Sequence, residues 1–370
     1  MPKSNKAYKF RIYPNAEQRI MFAKTFGCVR LVYNYYLNKK ICMYNVNKTR
    51  FSYVQCSNDM TLLKKTEKFS FLKEVDSVAL QQSLRHLDTA FQNFFKRPIV
   101  GFPKFKSKKL NKKSYSTINI SILDGYIKLP KVGCVKMKQH RIIPDNYKLK
   151  SATISQTPSR KYYVSILFEY ENQIQEKELH NFLGLDFSMH ELYKDSNGAE
   201  PNYPRYYRKS EQKLKREQRK LSLMQKGSKN REKQRRKVAI IHEKIANQRK
   251  DFLHKQSRRI ANVYDCVCIE DLNMKAMAQT LNFGKSVLDN GWEMFTTFLK
   301  YKLEEQGKKL VKIDKFFASS QTCSVCGYKN VETKNLAIRA WDCPQCGAHH
   351  DRDVNAAINI RNEGMRIVSI

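Results

Sequence analysis

Three acids in this chain stand in similar settings. Asp186 ends the apolar run FLGLD, Glu270 ends CVCIE, and Asp353 precedes VNAAINI, whose small residues recur at helical spacing. A carboxylate at a strand end can simply cap the next helix or cover a sheet edge, and each acid taken alone reads that way. Together they allow other chemistry. Two buried strands that end in acids, plus an acid opening a helix, can converge on one point. Such a cluster repels itself, and divalent cations relieve the repulsion. Two Mg²⁺ about 4 Å apart would activate water and stabilise the leaving oxygen in phosphodiester cleavage. Mg²⁺ prefers carboxylate oxygen and keeps waters, so few protein ligands suffice. Asp195, Asp271 and Asp351 are less well placed and read as supporting or structural acids.

A second metal pattern lies just ahead of Asp353. Cys323-x2-Cys326 and Cys343-x2-Cys346 are separated by sixteen residues, and Gly327 and Gly347 follow the two pairs directly. Each Cys-x2-Cys turn points two thiolates at one centre. Four thiolates complete a tetrahedral Zn²⁺ shell, closed to substrate and therefore structural. A redox pair or four free thiols are the alternatives. His349 and His350 are available as reserve ligands, but with four Cys present they read rather as surface or nucleic-acid contacts. The other six cysteines, Cys28, Cys42, Cys56, Cys134, Cys266 and Cys268, are scattered, mostly among apolar or aromatic residues. They read as reduced core thiols.

The elements that must hold these groups are legible in outline. KAYKFRIY, residues 6–13, alternates as a strand and stops at Pro14. Asn15 with Gln18 forms a capping-box pattern, and Phe22, Phe26, Val29, Tyr33 and Tyr36 then recur at helical spacing. A second helix is predicted from Ser77 to Lys96, with Leu80, Leu84, Leu87, Phe91 and Phe94 as its apolar stripe. Residues 115–170 read as strands, which with the N-terminal strand predict a small barrel. Residues 171–180 are a polar linker, and a new domain opens at NFLGLDFS. Two long helices joined near Gly227-Ser228 are predicted over 205–260. NVYDCVCIEDL contains a short buried strand, a helix follows around 289–306, and KKLVKID is another strand. No internal repeat is visible.

Charge points to the partner. The chain of 370 residues holds 70 Lys and Arg against 34 Asp and Glu, a formal charge of +36. A globular protein this basic repels itself unless something anionic covers it. Nucleic acid is the first candidate and an anionic membrane surface the second. Residues 205–259 carry 21 basic and 5 acidic side chains. That excess is too large for salt-bridge lacing and favours a track for a phosphate backbone. The loop GFPKFKSKKLNKKSY, residues 101–115, alternates cations such as Lys104 and Lys106 with aromatic residues. Aromatic faces stack on bases while Lys neutralises phosphate; a solvated loop with Phe anchors is the plainer reading. No run of 18 apolar residues predicts a membrane span, and the N-terminus has no apolar segment of a signal peptide. Reduced thiols without an export signal place the chain in a cytosol or nucleus.

These residues together resemble a known family. GLDFSMHELYKDSNG, IEDLNMKAM, TCSVCG with WDCPQCG, and DRDVNAAINI, in this order, resemble the TnpB family of transposon-encoded RNA-guided nucleases related to type V CRISPR effectors. FRIYPNAEQ, LQQSLRHLDTAFQNFF and FPKFKSKK match as well, so the resemblance spans nearly the whole chain. It implies a mixed α/β and β multidomain fold. A wedge β-barrel domain would comprise residues 1–14 and 97–175, with a helical recognition domain, 15–96, inserted in it. An RNase H-like RuvC nuclease domain would comprise 181–318 and 348–370, including the basic hairpin 205–260. A zinc-ribbon target-nucleic-acid-binding insertion would occupy 319–347.

The same resemblance implies roles. The catalytic triad is Asp186, Glu270 and Asp353, binding catalytic Mg²⁺; the family's last acid directly precedes x-Asn, which selects Asp353 over Asp351. Zn²⁺ is structural on Cys323, Cys326, Cys343 and Cys346. The expected partners are a guide RNA from the transposon end, double-stranded DNA carrying an adjacent motif, and, functionally, the transposase of the same element. No membrane is involved, and the implied location is the cytoplasm of a prokaryote, associated with the nucleoid. Ser77, Gln81 and Thr117 lie nearest to the family's motif readers. The first motif is more polar after its acid than the commoner family form. Some relatives have lost the triad and act as RNA-guided DNA binders; all three acids are present here.

Overall fold

In the computed structural model, residues 3–108, 113–280, 289–335 and 337–369 are described. Residues 109–112 of the basic loop lie outside them. The chain forms two compact units, one up to Asn172 and one from Gln173 onward.

The first unit opens with strand β1 (Lys3–Tyr13). Asn15 then caps helix α1 (Ala16–Asn47) in a full capping box with Gln18. Phe22, Phe26, Val29, Tyr33 and Tyr36 are all buried, as the spacing predicts. Helix α2 (Tyr53–Leu63) begins in a second capping box, Ser52 with Gln55, which the sequence reading passed over. Helix α3 runs Ser77–Lys96, as predicted. Six strands follow: β2 (Lys113–Thr117), β3 (Ser121–Leu123), β4 (Tyr126–Leu129), β5 (Gly133–Lys138), β6 (Lys148–Gln156) and β7 (Tyr162–Glu171).

All seven strands join one antiparallel sheet in the order β2-β6-β7-β1-β5-β4-β3. Strand β1 sits in its middle, paired with β7 on one side and β5 on the other. The chain ends that flank the helices are thereby sewn into one sheet. Among the described residues no ladder joins β2 to β3, so the predicted barrel is not closed by hydrogen bonds there. Sheet and helices share one hydrophobic core, with Phe10, Ile154 and Ile166 from strands and Phe22, Tyr36 and Leu80 from helices.

The second unit is built on a four-stranded sheet, β8 (Phe182–Ser188), β9 (Leu192–Asp195), β10 (Cys266–Glu270) and β11 (Lys309–Ile313), ordered β11-β10-β8-β9. Strands β8, β10 and β11 are parallel, and β9 folds back antiparallel on β8. The basic hairpin is helix α4 (Tyr206–Leu223) and helix α5 (Lys229–Val263), capped by Ser228. Short helix α6 (Met274–Thr280) follows β10, and α7 (Trp292–Glu304) precedes β11. A two-stranded ribbon, β12 (Ala340–Asp342) with β13 (His349–Asp351), leads directly into the last helix, α8 (Arg352–Val368). Among the described residues no helix is long and apolar enough to cross a membrane.

Helix α8 lies on the sheet at backbone distance. A Cβ added to Gly184 in β8 would stand 1.9 Å from the Ala357 carbonyl oxygen, and one on Gly364 would stand 2.1 Å from Cys268 Sγ. The small residues of VNAAINI permit this approach, with Ala356 and Ala357 fully buried. We therefore expect Gly184→Ala to destabilise the second unit by about 1–3 kcal/mol or more, because backbone rather than a flexible side chain must yield. Chemical denaturation checks this; an unchanged midpoint contradicts the close packing. Four scattered cysteines, Cys28, Cys56, Cys266 and Cys268, are buried as expected, but Cys42 and Cys134 are exposed. Cys134 falls on the solvent side of a short strand, which alternation leaves polar.

Candidate metal and nucleic-acid sites

Strand register brings the first two acids together. Leu185 pairs with Ile269 across parallel strands β8 and β10. Asp186 and Glu270 each come one residue later, Glu270 as the last residue of β10 and Asp186 two residues before the end of β8. The first turn of α8, packed on the same sheet, supplies Asp353. Burial raises the Asp186 carboxyl well above its ordinary pKa, and the charges of Glu270 and Asp353 push it further; Arg352 and the Phe187 amide oppose them. Burial likewise raises Glu270, against a donated hydrogen bond from Ser319. Asp186 thus feels the charge of two acids far from it in sequence.

The neighbouring acids are otherwise engaged. Asp351 caps α8, its Oδ1 accepting from the amides of Asp353 at 3.0 Å and Val354 at 2.9 Å. Asp195 Oδ1 accepts from the Asn197 and Ala199 amides and closes the turn after β9. Asp271 pairs with Lys312 at 2.6 Å on the surface. Capping thus occupies Asp351 and leaves Asp353 turned elsewhere, toward Arg339 Nη1 at 3.4 Å. Arg339, buried Arg352 and Ser319 are site residues that the sequence reading missed. None carries a spacing signal, because their partners are set by the fold.

The four predicted thiols converge. Their Sγ atoms lie within 4.8 Å of one another, with Cys323–Cys346 at 3.7 Å and Cys326–Cys343 at 3.6 Å. A tetrahedron with Zn–S bonds of about 2.3 Å has edges of about 3.8 Å, so the cage fits zinc. The two knuckles repeat one turn: the Gly327 amide donates to Cys323 O and the Gly347 amide to Cys343 O. Both glycines have φ above +70°, where a Cβ is disfavoured. His350 departs from expectation. It is buried, with Nε2 3.0 Å from Cys323 Sγ and its ring against Trp341. Only His349 is exposed, and it meets Asp342.

The candidate nucleic-acid contacts separate into two kinds. Ser77 and Gln81 are exposed, one turn apart at the start of α3, and Lys104 is exposed. Thr117 is fully buried, and its hydroxyl donates to Asp76 Oδ2 at 2.6 Å. Asp76 also caps α3 through the Val78 amide. Thr117 therefore supports the Ser77 end of the helix and offers no free hydroxyl to a base. The Lys106 ammonium sits 3.9 Å over the Tyr33 ring, and Asn34 clamps the Lys106 backbone at both N–H and C=O. Phe102 packs on Phe91 and Phe94, the plainer anchor reading, although it and Phe105 are both about half exposed.

Fold and site define a class: a basic, mixed α/β chain with a carboxylate-bearing, mostly parallel sheet and a four-cysteine knuckle feeding its last helix. The same fold is seen in a solved Cas12f1–sgRNA–target DNA complex, which it matches with a TM-score of 0.58 at 13% identity, over 97% of this chain and 99% of that one. A family model described as "Probable transposase" (OrfB_IS605) matches residues 165–281, and one described as "Cas12f1-like, TNB domain" matches 292–360. A third, described as "Helix-turn-helix domain", matches 1–49; there the described residues form β1 and the single helix α1. Two relatives are similar along their length. One is "Putative RNA-guided DNA endonuclease" of Streptomyces pristinaespiralis, 37% identical over 99% of this chain and 90% of its own. The other is "Putative RNA-guided DNA endonuclease InsQ" of Escherichia coli (strain K12), 28% identical over 99% and 94%. The chain belongs to the OrfB_IS605 family, the TnpB proteins.

Proposed function

We propose that this protein is a transposon-encoded, RNA-guided double-stranded DNA endonuclease that hydrolyses phosphodiester bonds at Asp186, Glu270 and Asp353. The observation that carries the reading is the placement of Asp186 and Glu270 one residue past a paired register position on adjacent parallel strands, with Asp353 in the first turn of the helix packed on that sheet, in a chain of charge +36. Clustered carboxylates are costly unless they have a use, and cation binding is the chemistry they suit. All three offer only oxygen, the donor that Mg²⁺ takes. Two Mg²⁺ held there would supply an activated water and stabilisation of the leaving oxygen. The chain's own part is to hold the acids rigidly: β8 and β10 fix Asp186 and Glu270, and the Asp351 cap fixes the turn that carries Asp353.

Parallel β8 and β10 with antiparallel β9 support an RNase H-like, RuvC-type nuclease domain, and the ribbon carrying the thiols supports a zinc-ribbon insertion. The sheet and helices of the first unit fill the roles of wedge and recognition domains. Ser77 and Gln81 are exposed at the start of a helix, and Gln pairs well with adenine in the major groove, which supports them as the residues that read the adjacent motif. Lys104 and the α4–α5 hairpin contribute phosphate contacts. The guide is an RNA from the transposon end, and the transposase of the same element is a functional partner.

Protons compete with the cation for Asp186 and Glu270, whose pKa values are raised. The Mg²⁺ concentration for half-maximal cleavage should therefore fall as pH rises; Mg²⁺ titrations at several pH values check this. The reading itself is tested by purifying the protein with RNA expressed from its own locus and sequencing that RNA. The complex should retain guide-matched duplex against excess random DNA at moderate salt. Loss of all retention to random competitor would show a sequence-indifferent binder instead.

A further inference from the structure

Ser319 stands four residues before the first zinc thiolate, yet its side chain reaches the carboxylate site. Its hydroxyl donates to Glu270 Oε1 at 2.6 Å across 49 positions of sequence. Helix α8 holds it there. Asn359 Nδ2 donates one hydrogen to Ser319 O at 2.8 Å and the other to Thr322 O at 2.6 Å. One turn earlier Asn355 uses both ends of its amide. Its Nδ2 donates to Thr322 O at 2.8 Å, and its Oδ1 accepts from the Ser324 amide at 2.9 Å. Thr322 Oγ1 closes the segment on itself by donating to Ala318 O at 3.0 Å.

These asparagines are 1% and 6% exposed. Burying an amide is costly unless its hydrogen bonds are made, and an apolar residue would pack a helix as well. Here the amide hydrogens of Asn359 are spent on one five-residue stretch. That stretch has Ser319 on Glu270 at one end and Cys323 in the thiolate cage at the other. A glutamate's terminal torsion is soft, so its carboxylate is poorly oriented by its own rotamer. The serine hydroxyl commits one oxygen and leaves the other to a cation.

We propose that Ser319 is a positioning residue that orients Glu270 for cation binding, and that Asn359 and Asn355 act through it, tying the zinc knuckle to the carboxylate site. This rests on the nuclease reading. Ser319→Ala and Asn359→Ala should each slow guide-matched cleavage about 10- to 100-fold at limiting Mg²⁺, with recovery at high Mg²⁺. Ser319→Thr, which keeps the hydroxyl, should restore activity. Target binding and one zinc per chain should be retained. Both substitutions break the same contact, so the double substitution should cost no more than the worse single one. Mn²⁺ affinity of the full chain, titrated by electron paramagnetic resonance, should fall about tenfold in Ser319→Ala.

Wild-type rates and Mn²⁺ affinity in Ser319→Ala, or additive losses in the double substitution, overturn the proposal. Zinc content and thermal midpoint reveal misfolding; Ser319→Ala, which removes a single oxygen, decides the case if Asn359→Ala misfolds. The Mn²⁺ measurement separates the two levels. A wild type that never cleaves, with Ser319-dependent Mn²⁺ binding, counts against the nuclease reading alone. A cleaving wild type indifferent to Ser319 counts against this proposal alone.

Discussion

Asp186→Asn should abolish cleavage of guide-matched DNA, by about a thousandfold or more, and leave guide and target binding intact. The magnitude follows from losing a group that holds transition-state charge, worth about 4 kcal/mol or more where water is excluded. The direction of the stability effect is equally diagnostic. Asp186 is raised by burial and by two neighbouring acids, so its charge destabilises the metal-free fold. Removing that charge leaves the thermal midpoint unchanged or raises it, the pattern of a group kept for function. An inactive variant that is also markedly less stable would instead mark Asp186 as structural. Glu270→Gln and Asp353→Asn belong to the same series, read by single-turnover cleavage beside a binding assay.

Removing zinc from the four-cysteine cage should have the second large effect. The knuckle's own buried core is small, centred on Cys323, Trp341 and Cys343 with Ile338 and Ala348 against it. So little apolar surface cannot fix a loop without a cross-link. Zinc on four thiolates contributes an apparent 10–16 kcal/mol in small zinc modules. Chelation, or Cys343→Ser, should therefore unfold residues 319–351 as seen by loss of amide-exchange protection. The consequence extends to chemistry, because β13 runs without a break into Asp353 and α8. Cleavage should fall at least about a hundredfold and return on adding Zn²⁺. Full protection and activity in zinc-free protein would show that the cage is dispensable.

Much of this site was legible because its parts are local. Cys-x2-Cys fixes two thiolates within one turn, and the apolar runs before Asp186 and Glu270 read as buried strands wherever they pair. Helix α3 runs Ser77–Lys96 as its apolar stripe predicts, and α1 opens at Asn15 with Gln18 because a capping box is sequence-local. What could not be read rests on distant partners. Strand β1 pairs with β7 and β5, more than a hundred residues away, and that choice decides whether the sheet closes. Ser319 looks like any loop serine until Glu270 and Asn359 surround it. Thr117 sits in a polar alternating stretch, and only the fold shows that its side chain is buried against Asp76. His350 and His349 are identical neighbours, yet the ribbon turns one inward and the other outward. The choice of Asp353 over Asp351 rests on family resemblance; in the structure Asp351 is taken up in capping α8.

The coupling of knuckle to carboxylates gives the four-cysteine insertion a use. A loop placed between β11 and α8 would otherwise separate Glu270 from Asp353 with flexible chain. Zinc in the four-cysteine cage, together with the Asn355 and Asn359 amides, would convert it into a brace, with Ser319 and Arg339 each touching a carboxylate.

The most direct measurement challenges the RNA-loaded protein with a plasmid library in which a guide-matched target lies beside randomised flanking bases. Wild type and Asp186→Asn are compared with Mg²⁺ and with EDTA. Depletion of one flanking motif by wild type with Mg²⁺ alone establishes guided, metal-dependent cleavage at these acids. Retention of a motif without cutting, or equal cutting by Asp186→Asn, contradicts it.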